Sequence, residues 1–264
     1  MSLLEAVFLG VLQGVTEFLP VSSSGHLVLA EYFLGLKETS LAFDVTLHLG
    51  TLLAVLAFFF RDWMGMLVSL APGSPAREER KMVIYLLAGT LPGAAAGFFL
   101  EHAVSTYLRS PWVVVSTLSG VAILLWLAER MATHKRPFES IRLPDALLIG
   151  ISQALAVIPG TSRSGITMTC GLFLGLSREA AARFSFLLSA PIIAGAGLYE
   201  GLKLWNHGGP EVTLNFLWGF LASAVSGYLV IAFLMNYLRT HTFYPFVVYR
   251  LVIAAVVAAV LLLQ

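Results

Sequence analysis

The amino-acid sequence predicts an all-α integral membrane protein with an inverted-topology repeat: six transmembrane helices plus two re-entrant helical hairpins. Three observations predict it. The chain is 58% hydrophobic and only 12% charged, against about 25% charged in an ordinary soluble domain. Six segments are apolar over close to the 20 or so residues that a spanning helix needs. Two further apolar stretches are each broken halfway by a polar, Ser- and Gly-rich loop.

The scarcity of charge follows from the solvent, because an unpaired charge at the bilayer centre costs about 2.5–3.5 kcal/mol on insertion scales. The predicted spans cover 41–60, 82–100, 112–129, 179–200, 213–238 and 245–263. The interrupted stretches are 3–34, broken at LPVSSSGH (19–26), and 145–175, broken at PGTSRSG (159–165). Each half is too short to cross, and Pro20 or Pro159 ends its first helix. A segment of this kind enters the membrane and returns on the same side. Irregular backbone at that depth is tolerated where protein buries it or where it lines a wet cavity.

A shift of 140 residues places Gly10, Gln13, Ser22, Ser24 and Gly25 on Gly150, Gln153, Ser162, Ser164 and Gly165, and Leu34-Gly35-Leu36 on Leu174-Gly175-Leu176. Polar identities at one constant offset mark an internal repeat. The chain is therefore read as a single membrane domain, 1–264. Repeat one (1–130) holds hairpin 3–34 and three spans; repeat two (145–264) holds hairpin 145–175 and three spans. Three is odd, so the second unit is inverted and the two hairpin tips meet near the midplane, as in inverted-repeat transporters.

Lys37, Arg109 and Lys203 fall on the side that carries both termini and the first hairpin. Arg61, Arg77, Arg80, Lys81, Arg130, Lys135, Arg136, Arg142, Arg178 and Arg239 fall on the other. The positive-inside rule makes that second side cytoplasmic, so the first hairpin opens outward and both termini lie outside. The start, MSLLEAVFLGVLQG, has no basic residue and carries Glu5 and Gln13. It is read as mature fold rather than as a signal peptide. A net charge of +1 gives no reason to expect nucleic acid. Cys170, the single cysteine, is expected to be a packing residue.

Chemistry concentrates in the two loops. Gly10, Gln13, Gly14 and Glu17 share one helical face. Glu17 reads either as a helix-packing carboxyl or as a functional intramembrane acid. Ser22, Ser23, Ser24 and His26 follow it at the start of a helix, where free N–H groups favour an anion; the bland alternative is a set of capping serines with a chance histidine. Ser162, Arg163 and Ser164 open the matching helix, with Thr167 one turn further. An arginine at that depth requires an anionic partner, and its planar fork suits phosphate. The partner is either Glu17, in a buried salt bridge, or a substrate phosphate faced by both. Two helix starts, one Arg, several hydroxyls, one His and one carboxylate can bind a phosphate and cleave it. The spans around them would accept a lipid tail. A carrier for a phosphorylated lipid would want the same Arg and helix ends, but not a reacting set. Asp44 and His48 stand at a spacing that could suit a metal, although a hydrogen-bonded pair is the simpler reading. His102, His134, His207 and His241 are expected to be solvated.

At these residues the sequence resembles the undecaprenyl-diphosphatase family, the bacitracin-resistance proteins. The family motif (E/Q)xxxE falls on Gln13 and Glu17 and runs on as FLPVSSSGH; PGxSRSxxT falls on Pro159, Gly160, Ser162, Arg163, Ser164 and Thr167. The likeness covers nearly the whole chain. It implies an inner-membrane enzyme that removes one phosphate from undecaprenyl diphosphate, recycling the carrier lipid for cell-wall synthesis. It implies phosphate binding by Arg163, Ser162, Thr167 and, by extension, Ser22 and Ser164. It implies that Ser23 and His26 supply nucleophile and acid/base, and that Glu17 acts with a divalent cation, Mg²⁺ or Ca²⁺. Gln13 stands where some members carry a second glutamate; it can ligate through its carbonyl but cannot take a proton. Attack by Ser23, by His26 or by a metal-bound water all remain open, with Ser23 favoured. A homodimer is an expectation of the same kind. A second class of membrane lipid phosphatase also pairs SGH and SR elements, but places a histidine where this chain has Thr169.

Overall fold

The structure, a computed structural model, describes residues 1–34, 41–108, 110–206 and 213–263. Lys37, Arg109 and His207 lie outside the described residues, as does the side chain of His102. Eleven α-helices are described: α1 (Leu3–Phe18), α2 (Ser23–Leu34), α3 (Leu41–Phe58), α4 (Phe60–Ser69), α5 (Arg77–Tyr107), α6 (Pro111–Met131), α7 (Leu143–Ala154), α8 (Arg163–Phe173), α9 (Arg178–Asn206), α10 (Leu214–Tyr237) and α11 (Tyr244–Leu263). Five of them are long and apolar enough to cross a bilayer, and α3 with α4 makes a sixth when counted as one bent span. The chain is thus a multi-pass, all-helical membrane protein. The expected first span, 41–60, stops at Phe58, and the chain turns by 77° into α4. Helices α5 and α9 run beyond the expected 82–100 and 179–200 and carry Pro92 and Pro191 inside them.

Local chemistry explains the helix ends. Ser2 and Glu5 close a reciprocal capping box, Ser2 N–H donating to Glu5 Oε2 (2.7 Å) and Glu5 N–H to Ser2 Oγ (3.2 Å). Helix α1 stops at Leu19, which is extended, as the residue before a proline prefers to be. Ser110 caps α6, with Pro111 in its first turn, where a missing N–H costs nothing.

Both interrupted stretches are helix–loop–helix pairs with the same backbone at the break. Ser22 has φ 80° and Ser162 has φ 71°, a region disfavoured for a residue with a Cβ, which costs about 1–3 kcal/mol. Each serine offsets part of that cost by taking the N–H of the third residue on: Gly25 on Ser22 Oγ (3.2 Å) and Gly165 on Ser162 Oγ (3.0 Å). The hydroxyl neighbours repeat as well, Ser22 with Ser24 (3.4 Å) and Ser162 with Ser164 (3.2 Å).

The packing has the same duplicate pattern. Helix α1 lies against α10, and α7 lies against α5; α10 in turn packs on α3, and α5 on α9; α6 pairs with α11. The contacts of α1 with α10 and of α7 with α5 are each made at a glycine. A Cβ on Gly10 would come within 2.4 Å of the Gly219 carbonyl oxygen, and one on Gly150 within 2.2 Å of the Gly89 carbonyl oxygen, so only glycine lets these backbones approach. The main core, including Phe18, Phe59, Leu125, Met168, Phe184 and Phe186, sits between the broken segments and the long helices, and Cys170 packs at its edge. Ion pairs tie polar helix ends together: Arg136 with Asp145 (2.6 Å), Arg178 with Glu129, and Arg183 with Asp62 (2.5 Å).

Candidate active site

The break in each apolar stretch delivers one half of a site. The last two turns of α1 present Gln13 and Glu17, the first loop with the start of α2 gives Ser22, Ser23 and Ser24, and the second loop with the start of α8 gives Ser162 and Arg163. They meet. Arg163 Nη2 donates to Glu17 Oε1 at 2.6 Å, although the two residues are 146 apart in sequence. Glu17 Oε2 accepts from Ser23 Oγ at 2.6 Å and from Gln13 Nε2 at 3.0 Å. The Ser164 hydroxyl donates to the Leu19 carbonyl at 2.9 Å and joins the loops directly.

A cavity of about 140 Å³ opens beside the pair, lined by Glu17, Ser22, Ser23, Ser24, His48, Ala156, Ser162 and Arg163. For scale, a buried cavity of ~150 Å³ accepts benzene, so a phosphoryl group fits. Its walls carry one carboxylate, one guanidinium and four hydroxyls. Arg163 is bonded to Glu17 through Nη2, while its Nη1 is buried with no partner among the described residues. Of the two partners the sequence allows for Arg163, the structure therefore makes the Glu17 pair and leaves a second guanidinium nitrogen to spare.

The remaining expected residues stand further off. Both ring nitrogens of His26 are engaged, Nδ1 with the Ser22 carbonyl (2.6 Å) and Nε2 with the Tyr249 hydroxyl (2.7 Å), and the two rings stack. His26 does not line the cavity. The carbonyl can only accept, so Nδ1 carries the proton and Nε2 takes the tyrosine's. The Thr167 hydroxyl is buried, bonded to the Arg163 carbonyl (2.7 Å) and to Ser185 Oγ (2.7 Å). Thr167 and Ser164 thus hold the start of α8 rather than line the cavity.

The sequence pairs His48 with Asp44, at a spacing that could suit a metal or, more simply, a hydrogen bond. In the structure His48 Nδ1 bonds the Asp44 backbone carbonyl (2.8 Å), and Nε2 faces Glu17 Oε2 at 3.9 Å. Its membership of the site is invisible without the fold. Arg250 is the other residue that sequence reasoning passed over, although an arginine well inside the last apolar span was there to be seen. His134 is half-buried, its Nε2 on the Glu129 carbonyl (2.9 Å), whereas His241 is exposed as expected.

The fit to a divalent cation rests on oxygen donors. Among the described residues no three His, Cys, Asp or Glu side chains cluster. Gln13 Oε1, however, is buried without a partner next to the Glu17 carboxylate and the Ser23 hydroxyl. Amide, carboxylate and hydroxyl oxygens are the donors that hard cations take.

The model of the bacitracin resistance protein BacA family matches residues 6–256. Among curated relatives, the undecaprenyl-diphosphatase of Rubrobacter xylanophilus is 50% identical over 271 residues, covering 100% of both chains. That of Moorella thermoacetica is 46% identical over 264 residues, again covering 100% of both. That of Caldicellulosiruptor bescii is 45% identical over 265 residues, covering 100% of this chain and 99% of the relative. With its paired polar loops at the centre of a helical membrane fold, this chain belongs to the BacA bacitracin resistance family.

Proposed function

We propose that this protein is an integral membrane phosphatase that hydrolyses undecaprenyl diphosphate to undecaprenyl phosphate and inorganic phosphate, and so recycles the lipid carrier of cell-wall synthesis. Family membership and the relatives' names support the substrate. One observation carries the chemistry: Ser23 Oγ lies 2.6 Å from one oxygen of a carboxylate whose other oxygen lies 2.6 Å from a guanidinium, beside a phosphoryl-sized cavity. That is a nucleophile, a base and an anion binder in mutual contact.

In this reading Ser23 Oγ attacks the terminal phosphorus while its proton passes to Glu17 Oε2. The bond from that phosphorus to the bridging oxygen breaks, and the lipid monophosphate leaves. Glu17 passes that proton to the departing phosphate oxygen and is a carboxylate again; water then attacks the phosphoserine, giving its proton to Glu17, and the bond from phosphorus to Ser23 Oγ breaks as Glu17 returns the proton to Ser23 and inorganic phosphate is released. Arg163 holds the equatorial oxygens, with the Ser22 and Ser162 hydroxyls beside it. The serine's base is Glu17 rather than His26, whose ring nitrogens face Ser22 and Tyr249; His26 positions the loop. Gln13 and Glu17 would hold a divalent cation, Mg²⁺ or Ca²⁺, which when bound would neutralise charge on the diphosphate.

The topology belongs to the same proposal. The matching positive φ at Ser22 and Ser162, the two glycine crossings and the exchanged packing of α1 and α7 support an inverted repeat with re-entrant hairpins meeting at mid-membrane. The excess of Lys and Arg on one side supports a plasma-membrane orientation in which the site opens outward and both termini lie outside.

The test is phosphate release from a long-chain isoprenyl diphosphate by protein purified in detergent, where transport has no meaning. Ser23→Ala should abolish release, and substrate labelled on the terminal phosphate should leave a covalent label on the wild type, on Ser23. Label found on His26 would refute the nucleophile, and no release by wild-type protein would refute the function.

A further inference from the structure

Among the described residues the largest fully buried side chain is Arg250, on α11, and it has no exposed surface. All five hydrogen bonds from its guanidinium run to main-chain carbonyls. Nε donates to Leu118 (3.1 Å), Nη1 to Pro20 (3.1 Å), and Nη2 to Thr117 (3.2 Å), Gly160 (3.0 Å) and Thr161 (3.1 Å). These carbonyls come from three places: the first loop, the second loop, and α6. Thr117 adds a side-chain bond from Oγ1 to the Pro159 carbonyl at 2.7 Å. One cation therefore sits where both chain breaks converge and fixes each to the same helix.

The orientation of the bonds has a consequence for the site. In a planar trans peptide the carbonyl and the following N–H point to opposite sides. With the Thr161 carbonyl held on Arg250, the Ser162 N–H is turned away from the arginine. Ser162 lines the cavity and caps the start of α8, with φ 71°. A helix start with a free N–H is an anion-binding element. Its backbone conformation is unfavourable for serine and persists only where surroundings over-determine it. Arg250 is the over-determining group for the second loop and, through Pro20, for the first. A buried guanidinium carries a large desolvation cost; satisfying it with five carbonyls spends that charge on fixing two loops rather than on pairing an acid.

We propose that Arg250 is a positioning residue for the phosphatase reaction: it clamps the two loops in register and aims the Ser162 N–H at the phosphoryl oxygens as charge develops on them. The inference rests on the function proposed above. Lysine keeps the charge but cannot span five acceptors on three segments.

The experiment measures kcat and KM for wild type, Arg250→Lys, Arg250→Gln and Arg250→Ala, with melting temperatures in the same detergent. The assay is repeated on Arg250→Ala with methylguanidinium added. Loss of one preorganised donor typically lowers kcat by about 10²–10³-fold, and a loss of that size with little change in KM is expected for folded Arg250→Lys. Methylguanidinium should restore part of kcat to Arg250→Ala. The proposal is overturned if Arg250→Lys turns over like wild type. It is equally overturned if every loss tracks melting temperature and disappears on cooling, or if no variant folds, since Arg250 then serves folding alone. An inactive wild type would sink the assigned reaction instead.

Discussion

Replacing Glu17 by glutamine tests the centre of the site with the smallest change of shape. The carboxylate is buried and accepts three hydrogen bonds, from Arg163 (2.6 Å), Ser23 (2.6 Å) and Gln13 (3.0 Å). An amide keeps one acceptor and turns the other position into a donor, which then faces a donor already present. Hydrogen bonds to a charged group contribute about 1.5–3 kcal/mol each, and stripping one partner from a buried ion pair costs about 3–5 kcal/mol, because the other charge is left without compensation. Arg163 is that other charge, its side chain 12% exposed. Glu17→Gln should therefore melt at a clearly lower temperature in detergent. Phosphate release should fall further than stability accounts for, by about 10²–10⁴-fold, the usual contribution of a general base. Both are read on one preparation, with melting followed by tryptophan fluorescence and release by colorimetric phosphate detection at a temperature where the variant is folded. A folded Glu17→Gln enzyme that releases phosphate within an order of magnitude of wild type would refute the assignment of Glu17 as base.

Other expectations separate packing, ion pairing, cation and orientation. Enlarging Gly10 or Gly150 to alanine should destabilise by about 1–3 kcal/mol, as overpacking does, whereas Gly97→Ala, with nothing within 4 Å, should not; thermal melting compares the three. Glu129→Gln strands Arg178 and should cost about 3–5 kcal/mol while turnover per folded molecule is unchanged, since the pair lies outside the cavity. Chelation with EDTA should suppress phosphate release and added Mg²⁺ or Ca²⁺ should restore it; full activity in the chelator would remove the cation from the mechanism. In a Cys170→Ser background, a cysteine at Ser40 should react with an impermeant maleimide from outside and one at Thr133 only from the cytoplasm, and the reverse pattern would move the site to the cytoplasmic face.

Much of the candidate site was legible because its residues break a rule that lipid enforces. Glu17 and Arg163 are charges inside apolar stretches, and Ser22, Ser23 and Ser162 sit where helices are interrupted; each is an anomaly against a uniform background, and the loops of α1–α2 and α7–α8 are where the chain departs from helix. His26 shows the limit of such reading. Its place three residues after Ser23 suggests a reacting pair, but its two ring nitrogens are bonded to the Ser22 carbonyl and to the hydroxyl of Tyr249, 223 residues away. His48 is the reverse case, an unremarkable span residue that the packing of α1 against α3 carries to Glu17. The bend after Phe58 was not foreseen either, because hydropathy measures how apolar a segment is and not the direction in which it leaves.

By itself the sequence determined that the chain is a many-spanned helical membrane protein, that two of its segments are broken and alike, and which polar residues lie at the breaks. Composition and periodicity suffice for that, because each is a local response to lipid. Tertiary structure decided which of those residues touch. The bond between Arg163 and Glu17, the turning of His26 to Tyr249 and the clamp of Arg250 across both loops all depend on how closely helices approach, as at Gly10 and Gly150. Such distances arise from side chains far apart in the chain filling one another's space, and no local pattern records them.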